Sequence, residues 1–273
     1  MQRFSIHIIG VLKRFIYYLR IWWLMSRNAF LSVFYVKLAL LIFLSGKLIR
    51  FFFFLVFIFF LLKSVDNLAG YSLNQTIFFF LTFNFIDVAA QFLFREVYRF
   101  RPLVVTGGLD LILVKPMNAL FRSLMGGADV IDLITIPPLI AAIWYVGRLL
   151  NPSSVQVIIY ILLILNGLVI AAAFHILVLS FGILTLEIDH TIMIYRDFVN
   201  LGKLPVDIYK EPVKGILTFI FPVAIMTTLP AKYLMGLVTY RGVLISLSIG
   251  VLLTLISFKV WNHALKSYSS ASS

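Results

Sequence analysis

The run FFFFLVFIFF at residues 51–60 sits inside an apolar stretch, about 38–62, that contains no acidic residue. A helix needs roughly 20 apolar residues to cross a bilayer, and this stretch is long enough. Five more follow at about 75–95, 124–146, 157–182, 214–229 and 242–263. Hydrophobic residues make up 62% of the chain and charged residues 12%, where soluble domains average about 45–50% and about 25%. The pattern predicts an all-α integral membrane protein with six transmembrane helices, and it excludes a soluble enzyme. A basic, aromatic segment precedes the first span at residues 1–37, and a polar tail follows the last at 264–273.

The net charge of +12 would suggest nucleic acid on a soluble protein. Here the basic residues punctuate apolar stretches, so they point to membrane orientation and anionic lipid, with no nucleic-acid partner. Counted by segment, 17 of the 23 Lys and Arg residues fall in the N-terminus, the loops 95–123 and 183–214, and the C-terminal end, against 4 on the other side. That bias predicts that both termini are cytoplasmic. The first 30 residues lack a compact apolar region followed by a cleavage site, so the N-terminus is expected to belong to the mature chain. The chain has no cysteine, which excludes disulfides and thiolate metal sites, and no phosphate-cradling Gly-x-x-x-x-Gly-Lys loop.

Few residues could carry chemistry. Asn84, Asp87, Gln91 and Arg95 step by three, four and four, which places them on one face of the second span. Such a stripe faces a wet cavity or the bundle interior, as a substrate or proton path or as inter-helix packing. Lys47 and Arg50 share a face of the first span and are expected near its cytoplasmic end. Asp129 and Asp132 share a face at the start of the third span, where Arg122 or Lys47 could neutralise them. Pro137 and Pro138 should kink or interrupt that helix. His175 stands alone in apolar sequence and reads as a packing residue. Glu187, Asp189 and His190 are the nearest approach to an acid–base group and read as a solvated loop. No metal, catalytic or cofactor-binding site is expected on the chain itself.

The loop 95–123 is basic and half apolar, with a Gly107-Gly108 break and Lys115-Pro116 near its end. A loop of this composition is suited to contact a partner, or to lie in the headgroup layer. Here the sequence resembles the membrane subunits of type-2 ATP-binding-cassette (ABC) exporters, in a bacterial branch of permeases. The resemblance rests on SRNAFLSVFYVK before the first span, LAGYSLNQTIFFFLTFNFIDVAAQFLF at 68–94, GGLDLILVKPMNALF at 107–121, and FPVAIMTTLPAKYLMG at 221–236 behind KLPVDIYKEPVKG at 203–215. The chain departs from the family pattern at Val223, where a small residue is expected, and in the basic residues embedded in its first span.

The resemblance implies an interfacial elbow helix over about 11–36 and a short outer re-entrant segment over about 229–241, with Pro222, Pro230 and Ala231 in the motif that marks it. It implies a coupling element within about 97–120, with Arg99, Arg101, Leu103, Gly107, Gly108, Leu109, Asp110, Leu113, Lys115 and Pro116. That element would dock a cytoplasmic ABC ATPase, which would carry ATP and magnesium, and Asp110 would serve it as a cap or polar contact. A second permease copy or a paralogue would complete the pathway in a bacterial inner membrane. The rival classes are a proton-coupled secondary transporter, which should show inverted repeats, and a multi-pass membrane enzyme, which needs a clustered polar site.

Overall fold

The computed structural model describes residues 2–65, 67–186 and 188–269, with side chains from residue 12 onward. Among these residues the chain is helical throughout, with no strand beyond one isolated bridge between Leu68 and Tyr71. Glu187 and residues 270–273, the end of the polar tail, lie outside the described residues, as do the side chains of Arg3 and His7.

The first helix, α1 (Gln2–Tyr35), leads into α2 (Lys37–Val65), which passes to α3 (Leu73–Phe94) through the turn at 67–72. Ser72 caps α3: its hydroxyl accepts from the Gln75 N–H at 3.5 Å, and the Gln75 side chain accepts from the Ser72 N–H at 2.9 Å. A tight turn at Arg95–Arg99 then leads to three short helices, α4 (Phe100–Val105), α5 (Gly108–Leu113) and α6 (Ala119–Leu124). Next come α7 (Val130–Leu149), capped by Asp129, and α8 (Ser154–Thr185), which repeats the capping box with Ser153 and Gln156. The chain continues through α9 (Ile188–Asn200), the short α10 (Val213–Gly215) and α11 (Leu229–Leu234), and ends in α12 (Tyr240–Ser267).

Five helical stretches are long and apolar enough to cross a membrane: α2, α3 with its extension to Val105, α7, α8 and α12. The expected fifth span, 214–229, is not one continuous helix. Residues Val213–Ile220 and Ala224–Leu234 form two helical pieces bent by 77° at Phe221-Pro222, where a proline cannot continue the first piece. Ion pairs show what this bent pair does. Asp189, at the start of α9, pairs with Arg101 below the end of α3 at 3.4 Å, whereas Asp207 accepts from Tyr71 in the α2–α3 turn at 2.9 Å. The stretch 188–207 therefore runs from one end of the bundle to the other. Lys214 and Lys232 both return to Asp207, at 3.1 and 2.9 Å.

The bent pair is thus a hairpin that enters and leaves at the Asp207 end, with its tip inside. At the tip Phe221 stacks on Phe198 with ring centroids 4.0 Å apart, and Met226 lies with its carbonyl against Gly167. The bent element is Val213–Leu234, which overlaps the expected 229–241 only in part, with Pro222 at its bend and Pro230 and Ala231 buried in its second arm. Residues 188–207, expected within a loop, run along the bundle against α8 instead.

Two more expectations change. Helix α7 runs uninterrupted through Pro137 and Pro138, as helices at membrane depth can when neighbours satisfy the freed carbonyls. It also begins at Val130 rather than near 124, because α6 and the glycines at 126 and 127 occupy the preceding stretch. A Cβ on Gly127 would come within 2.7 Å of Ala29 on α1, so glycine permits α1 to lie against this link. There Ser26 accepts from the Ala128 N–H at 3.2 Å and Tyr18 from the Asn118 N–H at 3.2 Å.

Candidate functional site

A cavity of about 730 Å³ opens between α2, α3, α7 and α9. Helical spacing builds its polar wall. Asn84, Asp87, Gln91 and Arg95 descend one face of α3, and all four line the cavity. The Gln91 amide donates to Asp87 at 2.8 Å, and Arg95 donates to the Gln91 carbonyl oxygen at 3.4 Å. Arg95 also pairs with Asp129 at 3.3 Å, and Arg196 from α9 lies 4.0 Å from Asp87. Across the cavity, Lys47 of α2 donates to Asp132 and to the Thr135 hydroxyl of α7. Lys47 and Arg50 therefore both line this cavity, which is open at the surface; Lys47 is half-buried and Arg50 exposed. Arg122 does not reach either aspartate, because it is taken by the buried Glu96. Apolar rings, among them Phe51, Phe54, Phe80 and Phe83, form the rest of the wall.

Arg196, Asn200 and Lys203 complete the lining, and reading the segment 183–214 as a loop misses them. Their spacing of four and three carries the signal: a polar stripe whose opposite side, Ile188, Ile192, Tyr195 and Val199, is buried. His175 is a packing residue, buried with its Nδ1 2.7 Å from the Ala171 carbonyl and its ring 5.1 Å from that of Tyr195.

At the Asp207 end, burial pushes that carboxyl up. Hydrogen bonds from Lys232 and Tyr71 outweigh burial, and Asp207 ends below the ordinary carboxylate range. Burial first, then the bond to Asp207, pushes the Tyr71 hydroxyl up. Together these contacts tie the hairpin to the α2–α3 turn.

The loop 95–123 divides its residues between two faces. Phe100, Val104, Leu109 and Ile112 turn inward, with Leu109 at 0% exposure, so Leu109 belongs to the chain's own core. Leu103, Gly107, Gly108 and Asp110 are half-buried, and Asp110 sits in the first turn of α5. Gly107 takes φ of +74°, a left-handed conformation that reverses the chain between α4 and α5. Arg99, Arg101, Lys115 and Pro116 are exposed. So are Val105, Leu111 at 65%, Leu113 and Val114 at 79%.

A bundle of apolar helices around a charged cavity defines a polytopic membrane protein. The chain belongs to the ABC-2 transporter family: the family model described as "ABC-2 family transporter protein" matches residues 48–272, which leaves α1 outside the match. No curated protein and no solved structure matches it. The chain is therefore a membrane transport subunit, the permease component of an ABC transporter, a class that works with an ABC ATPase.

Proposed function

We propose that the chain is the permease of an ATP-driven exporter, that it forms the pathway with a second permease copy or a paralogue, and that a separate cytoplasmic ATPase docks on α4 and α5. The observation that carries this reading is the outward face of the 99–116 segment. Leu111 and Val114 stand exposed in the same segment as the exposed Arg99, Arg101 and Lys115, and α5 meets the end of α12 through Asp110 and Tyr268. Apolar anchors ringed by basic residues suit a groove on an acidic partner, and burial of a few such anchors supplies most of the binding.

Six crossings bring both termini to that end. Outside the cavity, this end carries twelve Lys and Arg residues (Arg3, Lys13, Arg14, Arg20, Arg27, Lys37, Arg99, Arg101, Lys115, Arg122, Lys259, Lys266). The other end carries six (Lys63, Arg148, Lys210, Lys214, Lys232, Arg241). The bias is weaker than 17 to 4, because Lys210 and Lys214 move to the other end and Arg95, Arg196 and Lys203 line the cavity, yet it still favours cytoplasmic termini. In this scheme ATP and magnesium stay on the partner, and closure of the ATPase pair moves the docked helices and rocks the two permeases about the cavity.

Replacing Leu111 and Val114 with Asp should leave the permease inserted while the ATPase no longer co-purifies with it, and ATP-driven export should cease. The same change at buried Leu109 should lower permease yield instead. Retention of the ATPase at wild-type yield by the Leu111/Val114 double variant would refute the docking assignment.

A further inference from the structure

The charges in the cavity do not balance. Three carboxylates line it and each has its own cation: Asp132 with Lys47, Asp129 with Arg95 at 3.3 Å, and Asp87 with Arg196 at 4.0 Å. Two further cations, Arg50 of α2 and Lys203 beyond α9, line the same cavity. Among the described residues neither makes an ion pair, and the Arg50 charge reaches Lys203, as do those of Asp87 and Arg196. Like charges held together at membrane depth are unfavourable unless something negative joins them.

The surroundings give the rest of the chemistry. Lys203 lies 6.0 Å over the ring of Phe54, and Phe80 stacks on both Phe54 and Phe51, at 4.5 and 5.2 Å, making an aromatic wall beside the two cations. A guanidinium offers forked donors to a phosphate or carboxylate, an ammonium adds a point charge, and the rings accept an apolar chain.

We propose that this part of the cavity recognises an amphipathic anion, with its phosphate or carboxylate head between Arg50 and Lys203 and its apolar tail along Phe51, Phe54 and Phe80. The proposal deepens the permease reading and rests on it. A soluble amphiphile and a lipid entering sideways from the bilayer offer the same chemistry.

The test uses the full-length chain alone, in phosphatidylcholine nanodiscs without ATPase or nucleotide, so its outcome is independent of whether the ATPase docks at α4 and α5. Native mass spectrometry follows binding of lysophosphatidic acid and of the monoacylglycerol with the same tail, which lacks only the phosphate. The wild type should prefer the phosphate by about ten-fold, the scale of one charge-assisted contact. Arg50→Gln with Lys203→Gln should erase that preference while monoacylglycerol still binds, which shows that the cavity is intact. Arg50→Lys, which preserves the charge, should keep most of it. If the double variant does not fold, Arg50→Gln alone carries the comparison and should halve the preference or reduce it further.

Repeating the titration with phosphatidylglycerol in the disc separates the sources. Competition identifies a bilayer lipid, and an undiminished preference identifies a soluble amphiphile. Equal affinity of the wild type for the two probes, or a phosphate preference that survives in the double variant, would overturn the proposal.

Discussion

Helices α2 and α3 lie side by side and meet opposite fates. The α2 stretch is the more apolar, with mean hydropathy 2.4 over its most apolar 18 residues, yet only 11% of those are buried within the chain. The α3 stretch has mean hydropathy 1.8 and is 61% buried. In water this order would be perverse. In a bilayer a phenylalanine gains little by leaving lipid for protein, so close packing goes to helices that bring small or hydrogen-bonding side chains. On α3 those are Thr76, Thr82, Ala89 and Ala90, all buried, with the Thr82 hydroxyl 3.1 Å from that of Tyr160 on α8. On α2 the rings of Phe52, Phe53, Phe59 and Phe60 point outward, and its main polar tie to the bundle is Lys47.

That contrast can be tested most severely at the tie itself. Lys47→Leu strands Asp132 in the interior, and removing one partner of a buried pair costs about 3–5 kcal/mol; the exposed share of Lys47 puts the expectation at about 3 kcal/mol. Thermal unfolding in detergent should show the loss, and Asp132→Leu added to it should recover most of the stability. A double variant no better than the single one would mean that α2 is not held by this pair.

Gly167 probes the packed side of the comparison. A Cβ there would meet the Met226 carbonyl of the hairpin at 2.7 Å, and backbone cannot swing aside as a side chain can. Gly167→Val should therefore cost about 2 kcal/mol through overpacking. An unchanged melting temperature would show that the hairpin does not seat against α8.

The smallest effect is expected on α2. Phe53 is 64% exposed, and Phe53→Ala should shift stability by less than about 0.5 kcal/mol. A much larger loss, read by the same melting assay or as dissociation in a crosslinking experiment, would mean that a second permease rather than lipid covers this face.

The α3 stripe was legible in the sequence because its steps of three and four residues match the helical repeat, and each of its residues lines the cavity. Its partner stripe was not. Arg196, Asn200 and Lys203 lie in a segment too polar to read as a span, since hydropathy measures a helix as though lipid surrounded it. This segment instead sets Ile188, Ile192, Tyr195 and Val199 against the protein core and Arg196, Asn200 and Lys203 on the cavity, while Met193, Ile194 and Asp197 stay exposed. The 107–121 motif located the α4–α5 reversal at Gly107 but could not say which leucines pointed outward. Leu109 and Leu111 are two residues apart and fall on opposite faces of a helix too short to show a period.

The sequence by itself determined that the chain is helical and membrane-spanning, where five of the crossings lie, and the family to which it belongs. Each follows from the length of apolar runs or from local motifs, which act within a few turns of chain. Only the tertiary structure decided that residues 188–207 run along the bundle and that 213–234 bend back towards Asp207. It alone paired Lys47 with Asp132 and Arg95 with Asp129 and brought Arg50 and Lys203 to one cavity. The Lys47–Asp132 pair joins residues 85 positions apart and the Tyr71–Asp207 bond residues 136 apart, and contact at that range depends on which helix faces which, a choice that hydropathy along one chain does not encode.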